Sequence, residues 1–407
     1  MPETATAPAS RRRPGPGTAH RGRLVYGVTA SLSATLLRGQ LGWFRERGWD
    51  VHLVISPGAL AESVAAGEGV HLHPLPMERG TSLLGDVVAL WRWARLLRRL
   101  RPDVVNLATP KAALLGSVAA WATRVPVRVY EMWGLRLEGA RGRAQAAVLW
   151  AVERLTVLLA TDVVCVSASL RDEAARRRLL GRRPRAVVLG HGSSNGVDPA
   201  RWDPGFAAVD RDAVRAGWGI APGELVVGFV GRVCRDKGVQ DLLEAFRSVG
   251  DEPLRLVLVG PVEDDELGAR VAALGDRVVR FGMTDDLCPV YVGIDVLCLP
   301  TRREGLPNVV LEAALAQVPS ITTTATGARD SVVDGRTGWL VDPGDVPALV
   351  RVLRSCAADR EQVRSLGRAA RERAITDFRP ELVWSDLERV CLHDPVPTSL
   401  SDPAPTA

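Results

Sequence analysis

Two carboxylates, Glu304 and Glu312, bracket the stretch E-G-L-P-N-V-V-L-E. Pro307 suits the opening of a helix, because its fixed φ is helical and its missing N–H would have no partner there. A helix that starts here presents free backbone N–H groups and a partial positive charge, which together favour a phosphate. Gly305, Leu306, Pro307, Asn308 and Val309 would then lie beside the anion. Glu304 at the rim could accept hydrogen bonds from sugar hydroxyls. Glu312, in the second helical turn, could hold the two hydroxyls of a ribose. Carboxylates suit hydroxyl clusters because they are acceptor-only groups that form charge-assisted bonds. The plainer alternative is that Glu304 caps the helix and Glu312 faces solvent.

A second cluster of usable groups occupies 227–238, V-G-F-V-G-R-V-C-R-D-K-G. An apolar run ends at Gly231, and Arg232 and Lys237 follow in the loop before the next helical stretch. Two cations at the carboxyl end of a strand point into any crevice there. They could neutralise a diphosphate whose charge grows as a bond to it breaks. Of the 52 basic residues only Lys111 and Lys237 are lysines. Lysine is a compact point charge and arginine a flat fork, so a position that keeps lysine in such a chain asks for that geometry. No D-x-D metal signature stands at a plausible strand end. The acidic run 263–266, E-D-D-E, reads as a helix start. The expectation is no metal and no cofactor, with Arg232 and Lys237 carrying the charge.

Weaker candidates sit in the first half. Thr29, Ala30 and Ser31 follow the first strand-like run and would let a helix approach a ligand; Ser31 could equally cap that helix. Lys111, after Thr109 and Pro110, could meet an acceptor phosphate or simply stand exposed at a helix start. His71 and His73 share one strand face but lack a third metal ligand. Along 82–100, Arg92, Arg95 and Arg99 lie on one helical side, opposite Leu83, Val87, Leu90 and Leu97, with Trp91 and Trp93 at the flanks. A basic amphipathic helix with tryptophans suits an anionic membrane surface. A packed helix with a solvated arginine face is the alternative.

The elements that must hold these groups alternate along the chain. Strand-like runs fall at 23–29, 51–56, 70–76, 103–108, 127–132 and 162–167, with helical stretches at 32–47, 82–100, 111–123 and 141–160. The runs are continuously apolar, as in strands covered on both faces, which means a parallel sheet between helices. Residues 196–205, G-V-D-P-A-R-W-D-P-G, hold two prolines and two glycines and read as a linker. The pattern restarts with strands at 225–231, 254–260, 277–281, 296–300, 320–323 and 339–341. Two successive βαβ series predict an α/β chain of two Rossmann-like, doubly wound domains, at 22–195 and 206–379. A ligand would sit in the cleft between them, at the carboxyl ends of the strands. A last helix, 380–393, presents Leu382, Val383, Leu387 and Val390 and is expected to cross back to the first domain. Residues 1–21 and 394–407 read as disordered tails.

Composition sets the outer limits. A chain of 407 residues makes two or three domains. Its formal charge of +5 favours anionic ligands or an acidic membrane surface. Aromatic residues are 5% and no basic patch is interleaved with them, which speaks against nucleic acid. None of the 6 cysteines forms a C-x-x-C pair, and Cys165 and Cys298 lie in apolar runs; buried free thiols suit a reducing, cytoplasmic compartment. No apolar run approaches the ~20 residues that span a bilayer.

Residues 226–345 resemble the carboxyl-terminal domain of glycosyltransferase family 4. The matching pieces are G-R-x-x-x-D-K-G, G-M-T-D-D-L, E-G-L-P-N-V-V-L-E-A and T-G-A-R-D-S-V-V-D-G-R-T-G-W-L-V. In the first domain, T-P-K-A-A-L-L-G, G-L-R-L-E and S-S-N-G-V-D resemble enzymes that elongate lipid-linked sugars for bacterial polysaccharides. The resemblance covers about 23–392 and implies the GT-B architecture and a retaining transferase that uses a nucleotide diphosphate sugar, with UDP the commonest carrier. It implies that Arg232 and Lys237 hold the diphosphate and that backbone near Met283, Thr284 and Asp285 faces the base. Glu304 would contact the donor sugar, Gly305 to Asn308 the phosphates, and Glu312 the ribose. The implied acceptor is a glycan or a polyprenyl-diphosphate-linked sugar, met on the inner face of the plasma membrane. The resemblance further implies attack from the front face, with the donor phosphate helping to deprotonate the acceptor, so that the carboxylate pair of a glycoside hydrolase would not be needed. One position departs: many relatives carry His-Gly where this chain has Trp133 and Gly134. Trp cannot exchange protons, though its N–H can donate and its face can stack on a sugar; Glu131 and Arg136 could supply polar contacts instead. The missing His leaves room for a catalytically inactive nucleotide-sugar binder, which the presence of Arg232, Lys237, Glu304 and Glu312 opposes. A sugar-nucleotide 2-epimerase of the same architecture is the other alternative, and the E-x7-E stretch points away from it.

Overall fold

A computed structural model describes residues 21–396 apart from 79, 81 and 183. The expected tails, 1–21 and 394–407, fall almost wholly outside the described residues, as does the side chain of Leu83. Runs such as L-V-V-G-F-V and L-R-L-V-L-V form strands because branched and apolar side chains pack well on a pleated surface covered on both sides. The first sheet has seven strands: β1 (Gly22–Gly27), β2 (Trp49–Ile55), β3 (His71–Pro74), β4 (Val104–Ala108), β5 (Val127–Met132), β6 (Asp162–Cys165) and β7 (Arg185–Val188). The second has six: β8 (Leu225–Val230), β9 (Leu254–Val259), β10 (Val278–Phe281), β11 (Val296–Leu299), β12 (Ser320–Thr323) and β13 (Gly338–Val341). Their orders are β3-β2-β1-β4-β5-β6-β7 and β10-β9-β8-β11-β12-β13. Every pairing is parallel. Each sheet therefore reverses its strand order once, between β1 and β4 and between β8 and β11. A crevice opens at such a reversal because the loops on either side turn to opposite faces.

The two doubly wound domains are thus present. The last helix, Pro380–Cys391, packs on the first of them, as expected: Glu388 accepts from Trp49 Nε1 at 2.9 Å and Arg47 Nε at 2.8 Å, and Trp384 Nε1 donates to Asn195 at 2.6 Å. Its buried side includes Trp384 and Cys391, while Leu382 is exposed.

Four local expectations need correction. The stretch 32–47 is not one helix: a 3-10 turn, Ser31–Leu37, is followed by the helix Gln40–Glu46. The break falls at Gly39, which has positive φ, and the Glu68 carboxylate caps the second piece by accepting from the N–H groups of Gly39 and Gly42. The 196–205 stretch holds a helix, Pro199–Ala207. Asp198 caps it, Pro199 occupies a first-turn position that requires no N–H, and Trp202 packs on Tyr291. Strand β7 escaped notice because its four residues begin with an exposed arginine at a sheet edge. Finally, the helix Leu83–Leu100 is turned differently from the expectation. It buries Ala89, Trp93, Leu97 and Leu100, whereas Val87 is 66% exposed. No helix among the described residues is long and apolar enough to cross a membrane.

Candidate active site

The loops at the β8/β11 reversal interlock. After β8 the chain runs through Gly231 and Arg232 into the short turn Arg235–Lys237 and then the helix Val239–Ser248. After β11 it runs through Thr301 to Gly305 and then the helix Asn308–Leu315. Thr301 Oγ1 donates to the Asp236 carbonyl at 3.1 Å, and Arg302 N–H to the same oxygen at 2.9 Å. Gly238 has φ +69°, and a Cβ there would stand 1.7 Å from the Pro300 carbonyl oxygen, so only glycine lets the loops meet. This seam sets Lys237 Nζ 2.5 Å from Glu304 Oε1. Arg303 is paired to Asp236 at 2.6 Å and Arg302 to Asp241 at 2.9 Å.

The first domain closes the other side. Trp133 and Gly134, which follow β5, lie against Glu304 and Gly305. A Cβ on Gly305 would fall 2.2 Å from the Trp133 carbonyl oxygen. Glu304 N–H donates to the Thr326 carbonyl at 2.9 Å, and Thr326 Oγ1 donates to Glu138 Oε1 at 2.7 Å across the domains. Between them lies a crevice of about 130 Å³. The first domain lines it with Trp133, Gly134, Leu135 and Glu138, and the second with Arg232, Asp236, Lys237, Arg303, Glu304 and Gly305.

Charge in the crevice is concentrated and balanced. Arg232, Lys237 and Arg303 face Glu138, Asp236 and Glu304. Arg232, half-exposed at the mouth, reaches Glu263 at 2.6 Å. Burial raises the Glu138 carboxyl above the ordinary range, although the Thr326 hydroxyl lowers it again in part. Burial raises Glu131 too, against three donors that favour its charged form. The amides of Gly305, Leu306, Asn308 and Val309, at the start of the helix Asn308–Leu315, find no protein acceptor among the described residues. Asn308 Oδ1 is also buried without a partner among them.

Of the residues singled out from the sequence, Arg232, Lys237, Glu304, Gly305, Trp133 and Gly134 come together here, with Gly231 adjoining. The others are placed differently. Leu306 is buried and packs into the first domain's core, so its side chain joins the domains and does not face an anion. Pro307 stands at the cap position, one residue before the helix, and Val309 packs on the second core. Glu312 is not a solvated surface residue: it is half-buried and accepts from Tyr291 OH at 2.7 Å, and burial raises its pKa. Met283, Thr284 and Asp285 form an exposed loop after β10 that does not line the crevice, Met283 being 74% exposed. Lys111 is neither exposed nor in the crevice; it is paired with Asp86 at 2.7 Å. Ser31 does not cap its own turn but accepts from Ala61 N–H at 2.9 Å. Arg136 points to solvent. In the acidic run, Glu263 binds Arg232 and Asp264 caps the helix Asp265–Ala272. His71 and His73 stand with His52 at the β2/β3 edge, and burial pushes His73 down to about 4.

Three charged lining residues are not among those the sequence singles out: Glu138, Asp236 and Arg303. Each had a signal. Glu138 ends G-L-R-L-E, Asp236 precedes Lys237, and Arg303 precedes Glu304. A larger cavity of about 510 Å³ lies at the amino-terminal ends of β8, β11 and β12, around Asp295. Its arginines are already committed: Arg211, Arg215 and Arg360 to Asp295, and Arg364 and Arg368 to Glu361.

Comparison with known proteins points the same way. Residues 224–359 match the family described as Glycosyl transferases group 1, and residues 33–192 match the Glycosyl transferase 4-like domain. The chain is similar to the capsular polysaccharide biosynthesis glycosyltransferase CapM of Staphylococcus aureus, with 32% identity over 90% of this chain and 96% of that one. It is 31% identical to a GDP-mannose-dependent alpha-mannosyltransferase of Mycobacterium tuberculosis over 72% of this chain and 75% of that one. Among solved structures, Anabaena Alr3699/HepE in complex with UDP-glucose superposes with a TM-score of 0.75 at 19% identity, covering 92% of this chain and 100% of that one.

Proposed function

This chain belongs to the group 1 glycosyl transferases with a 4-like first domain, and on that premise we propose that it transfers a sugar from a nucleoside diphosphate to a glycan or polyprenyl-diphosphate-linked acceptor in polysaccharide assembly. The architecture is the two-domain GT-B arrangement. One observation carries the reading: Lys237 and Glu304 meet at the β8/β11 reversal, facing the first domain, beside a helix start whose amides lack protein acceptors among the described residues. An entering diphosphate competes with Glu304 for Lys237. Once the anion takes the ammonium, the Glu304 carboxylate is free to accept from sugar hydroxyls. Arg232 at the mouth and Arg303 beside Glu304 add positive charge where the leaving group develops its own.

The proposed reaction proceeds with retention and without a metal. The bond from the sugar's anomeric carbon to the phosphate oxygen breaks as an acceptor hydroxyl attacks from the same face, and the departing phosphate takes that hydroxyl's proton. UDP is the proposed carrier, on its frequency in the family. The proposed setting is the inner face of the plasma membrane. The exposed side of the helix Leu83–Leu100 supports this, with Leu84, Val87, Val88 and Trp91 spaced as one helical stripe and Arg92, Arg95 and Arg98 exposed beside it. Trp121, Leu155 and Leu158 on the next two helices of the same domain are exposed as well.

The test is to incubate the purified protein with a panel of UDP- and GDP-sugars and a lipid-linked acceptor, measuring released nucleotide and the anomeric coupling of the product by NMR. Release from one donor with the anomeric configuration kept supports the reading. No release from any donor removes the transferase assignment, and an inverted product removes retention.

A further inference from the structure

Trp133 lines the crevice, and its ring has one polar atom, the indole N–H. That N–H is already committed: it donates to Glu131 Oε2 at 2.9 Å. Glu131 is itself held rigidly. Its Oε1 accepts from Tyr26 OH at 2.7 Å and from Asn106 Nδ2 at 2.5 Å. The three residues come from adjacent strands. Tyr26 on β1 is in register with Asn106 on β4, and Asn106 with Val129 on β5, so Glu131, two residues on, shares their face. Glu131 is 2% exposed, and none of its hydrogen-bond or ion-pair partners among the described residues is a cation. A buried carboxylate served only by neutral donors costs stability that an apolar side chain would not. Its presence is explained by geometry: two donors from the sheet fix Oε1 and with it the set of the carboxylate, which leaves Oε2 aimed at the indole N–H and fixes that N–H's direction.

We infer that Glu131 is a positioning residue that clamps Trp133 as an apolar wall of the donor-sugar subsite, so that position 133 selects the sugar by shape and C–H contact and offers it no hydrogen bond. The inference rests on the proposed donor reading of the crevice, where Trp133 lies beside Lys237 and Glu304. A wall of this kind suits a sugar that turns a C–H face or a deoxy carbon toward the ring. Apolar surfaces discriminate added or missing hydroxyls only modestly, whereas a site built to bond a hydroxyl rejects its absence strongly.

The test is a double-mutant cycle in nucleotide release, with donor kcat/KM as readout and thermal unfolding as the check on folding. Glu131→Met and Trp133→Phe should each lower donor kcat/KM by roughly 10- to 100-fold, the range for losing a hydrogen bond to a charged group. The double variant should lose about as much as the worse single one, because both substitutions break the same contact. Glu131→Gln should keep activity within about threefold of wild type. The introduced amide oxygen can accept the indole N–H, and its NH2 can donate to Asn106 Oδ1, which is buried without a partner, once the Asn106 amide turns over. If Glu131→Met does not fold, Trp133→Phe against Glu131→Gln decides the matter. Losses that multiply in the double variant, wild-type activity in Trp133→Phe, or a Glu131→Gln variant as poor as Trp133→Phe would each overturn the inference. A wild type that releases nucleotide from no donor fails the transferase reading instead, so the two failures are distinct.

Discussion

Replacing Gly305 with alanine adds one methyl group where the two domains touch. Its Cβ would lie 2.2 Å from the Trp133 carbonyl oxygen, 2.7 Å from the carbonyl carbon and 2.9 Å from Val166 Cγ2. Comfortable contact begins near ~3.5 Å, so the facing loops must part by about 1 Å. Neither side yields easily. The Trp133 ring is tied to Glu131, and Glu304 N–H to the Thr326 carbonyl. Overpacking of this kind costs about 1–3 kcal/mol in stability. The larger effect falls on chemistry, because Glu304 is the adjoining residue and a displacement of about 1 Å typically costs ~100-fold in rate. Steady-state nucleotide release should therefore show kcat/KM down by about 100-fold while calorimetry still records a cooperative transition. Gly67→Ala is the control: nothing lies within 4 Å of its Cβ position in the helix Ala59–Glu68, and it should be neutral or stabilising by about 0.5–1 kcal/mol. A Gly305→Ala enzyme within about threefold of wild type would refute the close inter-domain seam as a condition for activity.

Two further outcomes follow from burial and exposure. Glu153 is buried, accepts from the Tyr130 hydroxyl, and has its pKa raised by burial. At low pH it is neutral in both states; as pH rises past its unfolded pKa toward its folded one, the unfolded chain ionises first and native stability falls. Glu153→Gln lacks that loss, so its Tm advantage over wild type should be greater at about pH 8 than at about pH 4, and a difference that does not grow with pH contradicts the assignment. On the membrane side, the protein should float with anionic vesicles at low salt and less so at high salt. The double change Leu84→Glu with Trp91→Glu should weaken flotation at least about tenfold. A wild-type chain that stays with the dense fraction at low salt sinks that proposal.

The sheets were legible because strands buried on both faces are written as continuous apolar runs, and the restart after residue 205 announces a second series. Lys237 and Glu304 were legible because the loops after parallel strands collect at one edge, which sequence order predicts. What escaped depended on tertiary partners. The break at Gly39 is enforced by Glu68 from the next helix, and no local spacing reveals that contact. The helix Pro199–Ala207 hides behind two prolines, one of which sits where proline favours a helix. The helix Leu83–Leu100 has apolar residues on two sides, so periodicity alone gave the wrong rotation. Glu138 enters the crevice from the other domain, and Glu131 acts through Trp133 two residues on; neither shows its partner in a one-dimensional pattern.

The rate at which Lys237→Ala releases nucleotide from the preferred donor bears most directly on the diphosphate assignment. Loss of one preorganised charge contact of this kind predicts a fall of about 100- to 1000-fold in kcat, with the fold retained. Turnover equal to wild type would mean that the ammonium beside Glu304 does not meet the leaving group, and the crevice would have to be reassigned.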